Sequence, residues 1–445
     1  MQAINVKSEL KRERVVITGM GIVCPLGHDV ETLWQAILAG RSGAAKTTIF
    51  DASTYPTTFD AEVKDYDFTK YTKNPHLHRH SNRGSGFAIG ATVQACRQAR
   101  IDVETPRPTD GIDRTRLGIY LGAGEGSIDN DAFFAAIVEA WDPVKNQMDW
   151  GRWAQVAFDK MDPMRELEQE PNMPAAHIAM LTGARGPVRS CLTACAASTQ
   201  AAGEAMMLIR RGEADAVIAG GTHSMIHPLG VMGFNRLTAL STRNDSPQTA
   251  SRPFSASRDG FVLGEGAAIV VLESLTSAKK RGVGILAEVI GYGSSSDAFR
   301  ITDMHEEGRG PIQAMTAAIA DAGISYKDVD YINTHGTSTT ENDSIETKAI
   351  KAVFKEKAKN IPASSVKSML GHLIGAAGAA ELITCVLAIR DNIVPPTMNL
   401  NDPDPKLDLD YVPNEPRKMP VNITVKESFG FGGQNNVVIV KRYED

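Results

Sequence analysis

Short runs of valine and isoleucine recur along this chain: RVVITGMGIV, RLGIYLGAG, ADAVIAGG, AAIVVLES and VDYINTHG. Each has the length and β-branched content of a strand. Between them stand alanine-rich stretches with apolar positions at helical spacing, and glycine or proline marks the joins. Strands alternating with helices predict a layered α/β fold.

A faint internal repeat overlies that alternation. AIGATVQACRQARID followed by RLGIYLGAGEG resembles GPIQAMTAAIADAGIS followed by VDYINTHGTST. AAGEAMMLIRRGEADAV, after Cys195, likewise resembles GAAELITCVLAIRDNIV, after His372. Repeats of this kind predict paired units that share a core. The first half runs over 1–284 and the second over 285–445, joined through LESLTSAKKRGVG, and Cys195 and His372 fall before matching helices of the two. Residues 124–187 interrupt the first half. This stretch holds three of the four tryptophans and the acidic run RELEQEPN, and is expected to be an irregular surface flap bordering the site.

Composition narrows the function classes. With 42% hydrophobic and 22% charged residues, 445 residues can bury a sizeable core. A net charge of −6 argues against a nucleic-acid binder, though it leaves room for a local basic patch. Five scattered cysteines without CxxC spacing suggest neither zinc nor a disulfide framework, so a reduced, cytoplasmic setting is the expectation. The start, MQAINVKSELKRER, has no apolar signal core. The longest nearly apolar stretch, Leu373 to Ile389, carries Glu381 in its middle, and no membrane span is expected. GMGIVCPLG lacks the third glycine of a dinucleotide site. HLHRH, with His76, His78 and His80, lacks neighbouring cysteine or acidic ligands, so no metal is assigned to it.

Four stretches carry candidate chemistry: TACAAST, NTHGTSTTENDSIE, VKSMLGHLIGAAG and ESFGFGGQNN. Cys195, among small residues at the start of a helix, is either core filler or a nucleophile whose thiolate the helix N-terminus favours. His335 follows a strand and His372 begins a helix. They are either satisfied core histidines or groups converging on Cys195 at the C-terminal edge of the sheet. A helix N-terminus disfavours imidazolium, so His372 should stay neutral.

Taken together and in order, with STRNDSPQTASRPFSASRDGFVLGEGAA and GYGSSSDAF, these motifs resemble the beta-ketoacyl-[acyl-carrier-protein] synthases of the type II elongation class over essentially the whole chain. The resemblance implies a thiolase-like, five-layered αβαβα homodimer that condenses an acyl chain with malonyl-carrier protein. In that picture Cys195 carries the acyl group, and His335 and His372 assist decarboxylation. Lys367 and Glu381 form a buried ion pair. Phe431 gates the acyl pocket, its amide joins that of Cys195 as an oxyanion hole, and Phe429 contacts the substrate. Thr337 and Thr339 hold the phosphopantetheine arm, and Phe234 and Ile301 line the acyl tunnel. The partner is an acyl-carrier protein, and no dissociable cofactor is implied.

Some positions depart from that pattern. Relatives carry lysine and arginine where His76, Arg79 and His80 stand, at the carrier-docking segment. Charge there would follow pH, and carrier affinity is expected to rise as pH falls toward 6. Thr340 and Asn342 replace a proline and a glycine, and Ala196 and Ala197 follow the cysteine. These changes bear on substrate choice. A ketosynthase of a specialised lipid or polyketide pathway is the alternative reading. A noncatalytic chain-length partner typically lacks the cysteine, and a thiolase has a second cysteine in place of one histidine.

Overall fold

A computed structural model describes all residues except 1–11, 106–107, 125 and 127. Ten strands make up its main sheet: β1 (Val15–Val23), β2 (Leu117–Ala123), β3 (Val188–Cys191), β4 (Ala216–His223), β5 (Gly266–Ser274), β6 (Ala287–Ser296), β7 (Tyr331–Asn333), β8 (Ala363–Ser364), β9 (Ile423–Gly430) and β10 (Gln434–Lys441). Their order is β8-β7-β9-β10-β6-β1-β5-β4-β2-β3. The two halves of this order mirror each other. In the first, β1 and β5 pair antiparallel, β5 and β4 antiparallel, β4 and β2 parallel, and β2 and β3 parallel. In the second, β6, β10, β9, β7 and β8 repeat the same sequence of senses. The halves join where Val15 pairs with Val289 and Ile17 with Ala287.

Helices complete five layers. Helices α2 (Ala197–Arg210) and α5 (Ala377–Asp391) lie between the two half-sheets; α1 (Arg83–Gln98) covers the outer face of the first, and α3 (Arg309–Ala322) with α4 (Thr340–Phe354) covers that of the second. The nearly unbroken apolar runs of the strands follow from this, because both faces are buried. In β5, Val270 and Leu272 join the central core while Ile269 and Val271 join the outer one. The apolar stretch at 373–389 becomes α5, buried on every side between the half-sheets. That is why it is apolar all round without crossing a membrane. Among the described residues, no helix is long and apolar enough to span one.

The glycines of GMG and GYG serve packing. A Cβ on Gly21 would come within 2.0 Å of the Ala91 carbonyl oxygen of α1, and one on Gly293 within 2.0 Å of the Ala314 oxygen of α3. Both outer helices therefore lie closer to the sheet than any side chain at these positions would permit.

The excursion at 124–187 is more regular than expected. It folds into helices Asn130–Ala140, Trp150–Lys160, Pro163–Leu167 and Met173–Thr182, with a two-stranded hairpin between the first two. Asp129, Asp149 and Asp162 each cap the helix that follows, which is the local reason for this order.

Candidate active site

Cys195 sits in a single 3₁₀ turn, Ala194–Ala196, that leads into α2. The matching turn of the second half, Ile374–Ala376, leads into α5. His372 lies just upstream of it, held between Val262 and Gly264: its N–H donates to the Val262 carbonyl at 2.8 Å, and its own carbonyl accepts from Gly264 at 2.9 Å. His335 follows β7 and is fixed from behind by Glu346 of α4, whose carboxylate accepts from the His335 N–H at 2.5 Å and the Gly336 N–H at 2.8 Å. Three chain segments far apart in sequence thus bring the Cys195 sulfur and one ring nitrogen of each histidine within 4.8 Å of one another, all buried. The imidazole rings stand edge to face, centroids 5.6 Å apart.

Hydrogen bonding fixes the tautomers. The Nδ1 of His372 accepts from the Ile374 N–H at 3.3 Å, so the proton of the neutral ring is on Nε2. Among the described residues, that buried nitrogen has no hydrogen-bond partner. Lys367 Nζ stands 3.5 Å from His335 Nδ1 and donates to the His335 carbonyl at 2.6 Å, which places the His335 proton on Nε2 as well. Burial, reinforced by the positive charge of Lys367, holds both imidazoles well below the usual histidine range. The neutral state expected of His372 is there, although its main causes are burial and buried lysines rather than a helix terminus.

Cys195 departs from expectation. Burial pushes its thiol up to about 11; Lys367 and the backbone N–H groups of Phe431 and Cys195 pull the other way. Desolvation of a thiolate inside an apolar shell outweighs the helix N-terminus, so the resting sulfur is a thiol.

Lys367 and Glu381 are ion-paired and almost inaccessible. Glu381 also meets Lys426 of β9 at 2.8 Å. The sequence reading missed Lys426, yet its signal is in ITVKESFG: two consecutive charged residues inside a buried strand cannot both reach water. Phe431 lies in the turn between β9 and β10, with Gly432 and Gly433 at φ +86° and +72°. A Cβ on Gly430 would sit 2.8 Å from the Thr193 carbonyl oxygen, so glycine there lets the turn approach the cysteine loop.

A cavity of about 330 Å³ opens onto Cys195, His335 and His372, and Thr337, Thr339, Phe429 and Phe431 line it. The Thr337 and Thr339 hydroxyls bond each other at 2.8 Å. Phe429 packs edge-on to His335. Phe234 belongs to the apolar cluster around Cys195, packed edge-on against Phe261; Phe261, which the motifs did not single out, also packs edge-on to His372. Ile301 does not line this cavity within the single chain: the residue is 85% exposed, and its carbonyl accepts from the Gly432 N–H at 2.6 Å.

At the expected docking segment His76 and Arg79 are exposed. His80, however, lies 3.4 Å from the Asp162 carboxylate of the 124–187 region. His78 is buried and bonds His177 at 2.9 Å, which in turn bonds Glu168 at 2.8 Å. HLHRH is therefore half surface and half clasp. Among the described residues, none from 124–187 lines the Cys195 cavity; the last helix of the region, Met173–Thr182, packs on α1, while Asn130–Ala140 and Trp150–Lys160 pack on each other.

Comparison with known proteins bears on this geometry. The model of the Beta-ketoacyl synthase, N-terminal domain, matches residues 12–278, and that of the Beta-ketoacyl synthase, C-terminal domain, matches 286–401. The chain is 41% identical to 3-oxoacyl-[acyl-carrier-protein] synthase 2 of Coxiella burnetii, over 98% of this chain and 100% of that protein. It is 40% identical to the protein of the same name from Synechocystis, with the same coverage. Among solved structures, a ketosynthase in complex with its type II polyketide acyl-carrier protein superposes with a TM-score of 0.85 at 33% identity, covering 98% of this chain and 100% of that one. A beta-ketoacyl synthase from Burkholderia phymatum gives 0.83 at 31%, covering 97% and 100%.

Proposed function

This chain belongs to the beta-ketoacyl synthase family, and from that premise we propose that it elongates fatty acyl chains by decarboxylative condensation of an acyl group with malonyl-acyl-carrier protein. The Cys195 sulfur attacks the thioester of an acyl-carrier protein. The carrier C–S bond breaks, an acyl-Cys195 thioester forms, and the thiol proton leaves with the carrier sulfur. The Cys195 and Phe431 amides hold the oxygen that gains charge in this step.

Malonyl-carrier then enters the emptied arm channel past Thr337 and Thr339. Its C–CO₂ bond breaks, and the electron pair passes into a thioester enolate whose oxygen receives the two Nε2–H groups of His335 and His372. The enolate carbon attacks the acyl carbonyl, and the Cys195 thiolate departs and is reprotonated. The product is a 3-oxoacyl-carrier thioester. No dissociable cofactor takes part; the phosphopantetheine arm arrives on the carrier.

The observation that carries this reading is the meeting of one buried thiol with two neutral imidazoles, one of them aiming an unpartnered N–H into the cavity. Retention of the cysteine sets aside the noncatalytic chain-length partner. A specialised polyketide pathway is favoured by the ketosynthase neighbour in complex with a type II polyketide carrier, and elongation of fatty acids by the higher identity to the curated synthases. A cytoplasmic homodimer completes the reading. Edge strand β3 pairs on one side only among the described residues and leaves Val188 and Leu192 exposed, which suits strand-to-strand association of two copies.

Intact-mass measurement of the wild type and Cys195→Ser after exposure to acyl-carriers of several lengths tests it. An acyl adduct on the wild type alone is expected, and its absence from both refutes the reading. A donor panel including polyketide carriers separates the two pathways.

A further inference from the structure

The buried ionic network behind the two imidazoles holds more charge than one ion pair. Strand β9 runs between α5 and α4, and its side chains alternate. Lys426 and Ser428 face inward toward α5 and α2, while Glu427 faces outward toward α4. The Lys426 ammonium reaches Glu381 at 2.8 Å, Ser428 Oγ at 2.9 Å and the Glu427 carbonyl. Lys367 takes the other oxygen of Glu381. One carboxylate is thus clamped between two ammoniums, each side chain about 1% exposed.

Outward of the strand, the buried carboxyls of Glu427 and Glu346 interact electrostatically. Burial and mutual repulsion push Glu427 well above the carboxylate range, and Glu346 rises to about 7.

The geometry explains what the second lysine adds. Were Glu381 bound by Lys367 alone, one buried carboxylate oxygen would lack a cation, and Lys367 would be drawn toward both oxygens and away from His335. With Lys426 in place, Lys367 keeps donors for the His335 carbonyl and stands beside its Nδ1. We propose that Lys426 is a positioning residue of the condensing site: a tethered cation that shares Glu381 with Lys367, frees Lys367 to orient His335, and adds a second positive charge behind both imidazoles. This rests on the function proposed above.

The charged and titratable groups facing the two rings are Lys367 from its short helix, Glu381 from α5, Lys426 from β9, Glu346 from α4, His223 from β4 and the Cys195 thiol. Removing one positive charge from this set makes both rings easier to protonate, and a protonated Nδ1 expels its present donor. The enolate site then fails at a higher pH than before.

The test is the pH profile of condensation for the wild type and Lys426→Met, with Cys195 acylation followed by intact mass in parallel. The expected result is an acid limb displaced upward by about one pH unit and a kcat for condensation reduced about tenfold at pH 7, with Cys195 still acylated. A condensing Lys426→Met enzyme with the wild-type acid limb overturns the role of Lys426. A wild type that takes up no acyl group refutes the function instead. Should Lys426→Met fail to fold, Lys426→Gln takes its place and histidine ¹⁵N resonances are compared with the wild type. Ring protonation of His335 and His372 that moves to higher pH in the variant supports the proposal, and unchanged protonation overturns it.

Discussion

Ala194 and Ile374 occupy equivalent turns of the two halves, one before Cys195 and the other before Gly375, and both take left-handed backbone angles, φ +48° and +46°. For a β-branched residue this is an outlier, and its recurrence on both sides of the pseudo-symmetry shows that the fold imposes it. The turn swings the next residue into the gap between the half-sheets. In one half that residue is the thiol. In the other it is a glycine, and the reactive side chain of that half, His372, comes from upstream.

Replacing Ala194 by glycine relieves about 1 kcal/mol of backbone strain but returns a similar amount through the greater freedom of the unfolded chain. Ala194→Gly should therefore unfold within about 1 kcal/mol of the wild type. Ala194→Val, which adds a β-branch at the same angles, should lose more than that; urea titration of the three proteins checks both statements.

A thiol held up to about 11 has no plateau of reactivity near neutrality. Alkylation of Cys195 by iodoacetamide should accelerate with pH throughout 6–9, tracking the small thiolate fraction. Peptide mapping against time reads the rate at this cysteine, and a plateau below pH 8 would contradict the burial argument.

In the proposed mechanism His372 offers its N–H to the enolate and not to the acyl transfer. His372→Ala should lower condensation about 10²–10³-fold, the usual cost of one donor to a developing oxyanion, while an acyl adduct still forms on Cys195. Single-turnover mass spectrometry separates the two steps.

Gly378 at the start of α5 touches α2: a Cβ there would meet Thr199 Oγ1 at 2.0 Å. Gly378→Ala must push the two central helices apart and should cost about 1–3 kcal/mol. A lowered urea midpoint with unchanged slope is the expected signature.

The clasp from His78 through His177 to Glu168 gives the fold a pH dependence of its own. Burial, together with His177, holds His78 below its ordinary value, while Glu104 and Glu168 pull the other way and His76 adds to the depression. The unfolded chain takes up that proton first. The stabilisation is therefore present above about pH 6.5 and lost as pH falls through the folded-state value, with a slope of at most about 1.4 kcal/mol per pH unit. Unfolding free energies between pH 7 and 5 should show this slope in the wild type and lose it in His78→Phe.

Much of this molecule was written in local pattern. Strand and helix alternation, the twofold repeat and the ordered motifs point to the layered fold and bring forward Cys195, His335 and His372, because periodicity, turn glycines and reactive residue types are properties of neighbouring residues; Lys367 and Glu381 came forward only through the family resemblance. Tertiary structure alone decided the rest. Desolvation depends on what surrounds a group from every side, so the protonation of Cys195 and the reason for neutral imidazoles could not be read from a helix start. Lys426 finds Glu381 across 45 residues of chain, and His78 finds His177 across 99. Ile301 fell outside the cavity for the converse reason: its position along the chain is set by the motif, but which way its side chain faces is set by the loop's packing.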